Sequence, residues 1–105
     1  MDTINLRVSK SKSITKTIAT IRKDYPDSMT VIKGRIENHE PVLAVDYCEL
    51  SGIRKILNLY KKLNALGDEL DFYENDEKVD LELVLNLLES YTDTEQYFEN
   101  HPDRD

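Results

Sequence analysis

Apolar and polar residues alternate first at Ile4, Leu6 and Val8, with Asn5 and Arg7 between them, which predicts a strand with one buried face. After a polar connection, Lys10 to Ser13, the period lengthens. Ile14, Ile18, Ile21 and Tyr25 fall on one helical face, and Ser13 is placed to cap that helix. Pro26-Asp27 ends it. Ser28 then caps a shorter helix with Met29, Ile32 and Ile36 inward, and Gly34 inside it predicts a close neighbour. Pro41 to Tyr47 reads as the second strand, apolar on both faces through Val42-Leu43-Ala44-Val45.

A long helix follows over 50–66, with Ile53, Ile56, Leu57, Tyr60 and Leu63 in helical spacing and Gly67 as its stop. Leu70 and Phe72 alternate with Glu69 and Asp71 as a third strand, and Glu74 to Lys78 reads as a charged turn. Asp80 caps a last helix, with Val79 and Val84 spaced as a hydrophobic staple. Leu81, Val84, Leu85, Leu88 and Tyr91 form its stripe. Leu83 and Leu87 lie off that stripe, which leaves apolar surface for a self-complementary homodimer contact.

The expected architecture is α+β, a two-layer β-α-α-β-α-β domain. It has a three-stranded sheet, helices on one face and an added C-terminal helix. Residues 1–105 form a single domain: a core over 3–73, the added helix over 79–98 and a frayed tail over 99–105.

At 105 residues with ordinary apolar content, the chain reads as a globular protein with a solvated surface. No apolar run approaches the roughly 20 residues that span a bilayer. Met1-Asp2-Thr3 predicts no secretory leader, and the single Cys48 fits a reducing, cytoplasmic compartment. The net charge of −7 is unevenly spread. Residues 1–35 carry eight bases against three acids, net +5; residues 36–105 carry eighteen acids against six bases, net −12.

Ile18-Ala19-Thr20-Ile21-Arg22, then Ser28-Met29-Thr30-Val31-Ile32-Lys33-Gly34-Arg35-Ile36-Glu37, then Leu63 to Phe72, make a sequence of patterns. It resembles the C-terminal domain of the bacterial ribosomal stalk protein, which reads I-K-x-V-R, G-L-x-x-A-K-x-x-V-E and L-x-x-x-G-x-x-V-x-V. The wider fold group of that domain includes the adaptor of the Clp protease. The resemblance covers about residues 3–73. It implies the β-α-α-β-α-β core and a partner surface on the first two helices, at Ile18, Arg22 and Lys33. Ala19 stands where that family has lysine, and the C-terminal helix is an addition.

No catalytic constellation emerges. His39 and His101 have no metal-ligand spacing with Cys48. His39 reads as a polar residue at a helix end, and Cys48 as a small packed residue. The acids from Asp68 to Glu82 lack the central glycine and the alternation of a calcium loop. No cofactor, no metal and no catalysis are expected. The basic residues Lys10, Lys12, Lys16, Arg22 and Lys23 are not interleaved with aromatics, and the acidic molecule repels phosphate, so no nucleic acid and no membrane partner is expected.

The expected function is therefore non-catalytic protein binding: an acidic inhibitor or immunity protein that masks a basic toxin by charge complementarity. Its partner-binding residues are Asp68, Glu69, Asp71, Tyr73, Glu74, Asp76 and Glu77. The alternative is a stalk-like or protease-adaptor-like module binding translation or proteolysis machinery through Ile18, Arg22 and Lys33.

Overall fold

A computed structural model describes residues 2–100, with side chains described through Ser90. The elements run β1 (Thr3–Lys10), α1 (Ile14–Asp24), α2 (Met29–Glu37), β2 (Pro41–Asp46), α3 (Leu50–Ala65), β3 (Glu69–Glu74), β4 (Glu77–Val79) and α4 (Leu81–Asn100). The fold is α+β. Its sheet is antiparallel in the order β2-β1-β3-β4, so it has four strands where the pattern predicted three. The added strand is β4, in the segment expected to be a charged turn. Glu77 and Lys78 are both exposed on this edge strand, so its three residues show no alternation. Val79 alone turns inward, opposite Phe72.

The pleat separates two faces of the sheet. Ile4, Leu6, Val8 and Phe72 lie on one, buried with Ile18 and Ile21 of α1, Ile32 of α2 and Ile53, Ile56, Leu59 and Leu63 of α3. Asn5, Arg7, Asp71 and Tyr73 lie on the other. β2 reads as apolar on both faces because a bulge opposite Leu6 and Arg7 inserts Val42. Val42 is buried and Leu43 half-buried, while Ala44 faces out. α4 packs on α3 and buries Val84 completely.

The helix ends follow local chemistry. Ser28 Oγ accepts from Val31 N at 3.2 Å, and Asp80 Oδ1 accepts from Leu83 N at 3.0 Å. Gly67 ends α3 at φ +90°, where a side chain would be strained. Ser13 does not cap α1 with its side chain; only its carbonyl is used, accepting from Thr17 N at 3.0 Å. Met29, expected inward, is 51% exposed, because the short α2 packs over the edge strand β2 and only Ile32 of it is fully buried. Cys48, expected to be packed, is exposed in the β2–α3 turn, where its amide donates to Asp46 Oδ1 at 2.8 Å. The backbone of α4 is helical through Asn100, past the predicted end at 98. The tail from 101 onward, His101, and the side chains of Tyr91 and Tyr97 lie outside the described residues.

Gly34 has no close neighbour: a Cβ built there meets nothing within 4 Å. Glycine in a helix interior costs roughly 1 kcal/mol relative to alanine. Gly34→Ala is therefore expected to raise stability by about 1 kcal/mol, read as a higher urea midpoint at unchanged slope. An unchanged or lower midpoint would contradict the open environment.

Tyr25 closes α1 and is half-buried. Burial pushes its phenol above the ordinary 10.0, and the neighbouring Asp24 carboxylate adds to this, while Lys62 opposes it. The folded chain thus holds the Tyr25 proton more tightly than the unfolded chain does. That contribution is whole below about pH 10 and is lost as pH rises through the raised folded value. Tyr25→Phe is expected to flatten the fall in stability between about pH 9 and about pH 11. Parallel curves for the two proteins would show that Tyr25 is not coupled to folding.

Candidate functional site

β3 pairs with β1 along its length, and the turn of the β3–β4 hairpin is fastened to the start of β1 by Asn75. Asn75 lies at φ +55°, a left-handed conformation that asparagine tolerates better than most side chains. Its amide donates to Thr3 O at 2.9 Å, its Oδ1 accepts from Thr3 N at 3.0 Å, and its carbonyl accepts from Asn5 Nδ2 at 3.0 Å. Its Nδ2 donates to Asp2 Oδ1 at 3.2 Å. With the turn so fastened, Asp76 and Glu77 are both exposed to solvent at its tip.

Behind the hairpin, the open face of the sheet carries a charged network. The Arg7 guanidinium lies 4.1 Å from the centre of the Tyr73 ring, and its Nε donates to Asn5 Oδ1 at 3.1 Å. Arg7 Nη1 donates to the His39 carbonyl at 3.3 Å, and Arg7 Nη2 reaches Asp76 Oδ1 at 3.8 Å. The His39 ring sits edge-on to Tyr73 at 5.8 Å, with Nε2 3.1 Å from Asp71 Oδ2. Lys78 Nζ is 3.3 Å from Asp71 Oδ1.

His39 follows α2 at φ +55°. Glu40 N donates to Arg35 O at 2.7 Å and His39 N to Ile36 O at 3.2 Å. Glycine ordinarily fills this position of a helix stop. A histidine there is strained, and its ring gains Asp71 and Tyr73 as neighbours. Of this network, only Asp71 and Tyr73 were expected at the site, and His39 only as a helix-end residue. The signal for Arg7 and Asn5 was their alternation with Ile4, Leu6 and Val8.

The seven residues expected to bind a partner divide into three groups. Glu69, Asp76 and Glu77 are exposed and Glu74 is half-buried; these line the hairpin and the start of β3. Asp71 and Tyr73 are half-buried and engaged within the network. Asp68 is buried at 4% exposure, with Oδ2 accepting from Thr17 Oγ1 at 2.6 Å and Oδ1 from Lys12 N at 3.1 Å, so its carboxylate serves the fold. Asp80 and Glu82 extend the exposed acidic rim onto α4.

On α1 and α2, Arg22 and Lys33 are exposed. Arg22 Nε donates to Asp27 O at 3.1 Å. Ile18 is buried in the core at 4% exposure and cannot meet a partner there.

Between β3, β4 and the first turn of α4 runs a groove of about 590 Å³, apolar at Tyr60, Phe72, Val79, Leu81 and Leu83. Among the described residues, no group of three His, Cys, Asp or Glu side chains is placed to hold a metal ion. No described helix is long and apolar enough to cross a membrane. Compared with known protein families, curated proteins and solved structures, the chain matches none of them.

Proposed function

We propose that this protein is a non-catalytic binding protein that docks a basic protein on the acidic edge formed by β3, β4 and the start of α4. The supporting observation is the fastened hairpin: Asn75 fixes its backbone while Glu69, Asp76, Glu77, Asp80 and Glu82 stand exposed around it. Rigid, solvent-facing carboxylates steer a basic partner and cost little ordering entropy when it arrives. The form that suits this chemistry is an inhibitor or immunity protein covering the basic face of a toxin in the cytoplasm.

The test is capture of partners from the native cell with tagged protein, identified by mass spectrometry at low and high salt. A basic protein retained at low salt and released at high salt is the expected result. A partner that is neutral or acidic, or that survives high salt, would overturn the reading.

A second reading draws on the opposite edge. Met29 and Val31 are 51% and 45% exposed on α2, beside the exposed bases Arg22 and Lys33. Apolar and basic groups together suit a stalk-like or adaptor-like contact with translation or proteolysis machinery. Recovery of ribosomes, elongation factors or a protease in the same capture would favour it. Self-association through α4 would use Leu85, which the periodicity places inward but which is 42% exposed, and not Leu83 and Leu87, which are half-buried.

A further inference from the structure

The short β4 leaves part of β3 without a neighbour. β4 covers β3 only from Phe72 to Glu74. On the other side, the bond from Asn75 N to Thr3 O sets the alternation of the β1–β3 ladder. Tyr73 and Asp71 exchange hydrogen bonds with β1, so the amides and carbonyls of Glu74, Phe72 and Leu70 point away from it. Glu74 and Phe72 meet Glu77 and Val79. Leu70 has no described strand opposite it. Its free main chain borders the apolar groove, whose far wall is Leu81 and Leu83 of α4.

The charge around the groove is one-sided. Asp71 and Asp80 line it, and Lys78, its one base, is engaged by Asp71. Glu69 and Glu82 add exposed carboxylates nearby.

We infer that this groove seats an extended, basic segment of the partner. The segment's main chain adds to β3 opposite Leu70, one aliphatic side chain packs against Tyr60, Leu81 and Leu83, and flanking lysines or arginines meet Asp80, Glu69 and Glu82. Main-chain pairing supplies the direction, the apolar contact the anchor, and the carboxylates the preference for basic sequence. This rests on the acidic-edge reading above and adds to it the shape and chemistry of what docks.

The probe is a capped heptapeptide that alternates lysine with valine and carries leucine at its centre, titrated into the full chain. The expected results are binding that weakens with salt, and hydrogen exchange at the Leu70 amide slowed about tenfold or more on saturation. Leu83→Glu removes apolar wall yet adds negative charge, so a loss of affinity there reports packing rather than attraction. About a thirtyfold loss is expected, the size of a packed anchor contact.

No binding, or binding that leaves Leu70 exchange unchanged, overturns the groove; this second readout uses the native chain and needs no variant to fold. Binding lost on Asp76→Lys with Glu77→Lys but indifferent to Leu83→Glu also overturns the groove, while leaving the acidic-edge reading standing. Binding that protects Leu70 but ignores salt and charge reversal overturns the acidic reading instead.

Discussion

Asp68→Ala is expected to lower folding stability by about 3 kcal/mol, since hydrogen bonds to a charged acceptor contribute about 1.5–3 kcal/mol each and two are lost. Asp68 is buried, and its two oxygens gather the β1–α1 connection and the first turns of α1 onto the start of β3. Its partner Thr17 is fully buried. Without the carboxylate, the Thr17 hydroxyl keeps only Ser11 Oγ at 2.9 Å, and the Lys12 amide loses its acceptor. Against the 5–15 kcal/mol net stability typical of a domain, roughly, this is a large share. Urea unfolding of Asp68→Ala, Thr17→Val and the double variant would measure it. Coupling of about 1 kcal/mol or more between the two sites is expected from the 2.6 Å bond. A loss below about 1 kcal/mol for Asp68→Ala would show that the carboxylate is not an anchor.

Gly52→Ala is expected to destabilise, in contrast to the gain at Gly34. A Cβ on Gly52 lies 2.9 Å from Val45 Cβ and 3.6 Å from the Asp46 carbonyl. Val45 is branched at that carbon and belongs to β2, so no flexible chain end can swing aside. α3 must move off the sheet edge. Overpacking of this kind costs about 1–3 kcal/mol and exceeds the helix-propensity gain of about 1 kcal/mol when the neighbour is fixed backbone or Cβ. Gly52→Val should cost more still. Thermal unfolding of the two alanine variants side by side reads the difference as melting shifts of opposite sign. Equal shifts would contradict the close approach of α3 to β2.

Periodicity was enough to place all four helices and three of the strands, because each of those elements buries one face. Ile53, Ile56, Leu57 and Leu63 of α3 recur at helical spacing and are all buried. β4 escaped because its only inward residue is Val79. Asp68 escaped for a different reason. An acid at the head of an acidic run reads as solvated, and its buried partner Thr17 lies far away in sequence on an amphipathic helix. The open-face network joins Arg7, His39, Asp71 and Tyr73 from three separate segments, which come together only when β1 pairs with both β2 and β3. The exposed acids of the hairpin were legible, since charge in a short turn has nowhere to be buried. The groove beside them was not, because it depends on β4 stopping after three residues.

In the proposed function the hairpin edge, and not the α1–α2 edge, meets the partner. The most direct test is the association rate of the captured partner with two double variants, measured at low and high salt. Asp76→Lys with Glu77→Lys is expected to slow association at low salt by about a hundredfold and to flatten its salt dependence, as steered encounters do when the steering charge is reversed. Arg22→Glu with Lys33→Glu is expected to leave the rate within about threefold, or to raise it, because it adds negative charge on a remote edge. The opposite pattern, with the helix variant inactive and the hairpin variant unchanged, would contradict the account and move the interface to α1 and α2.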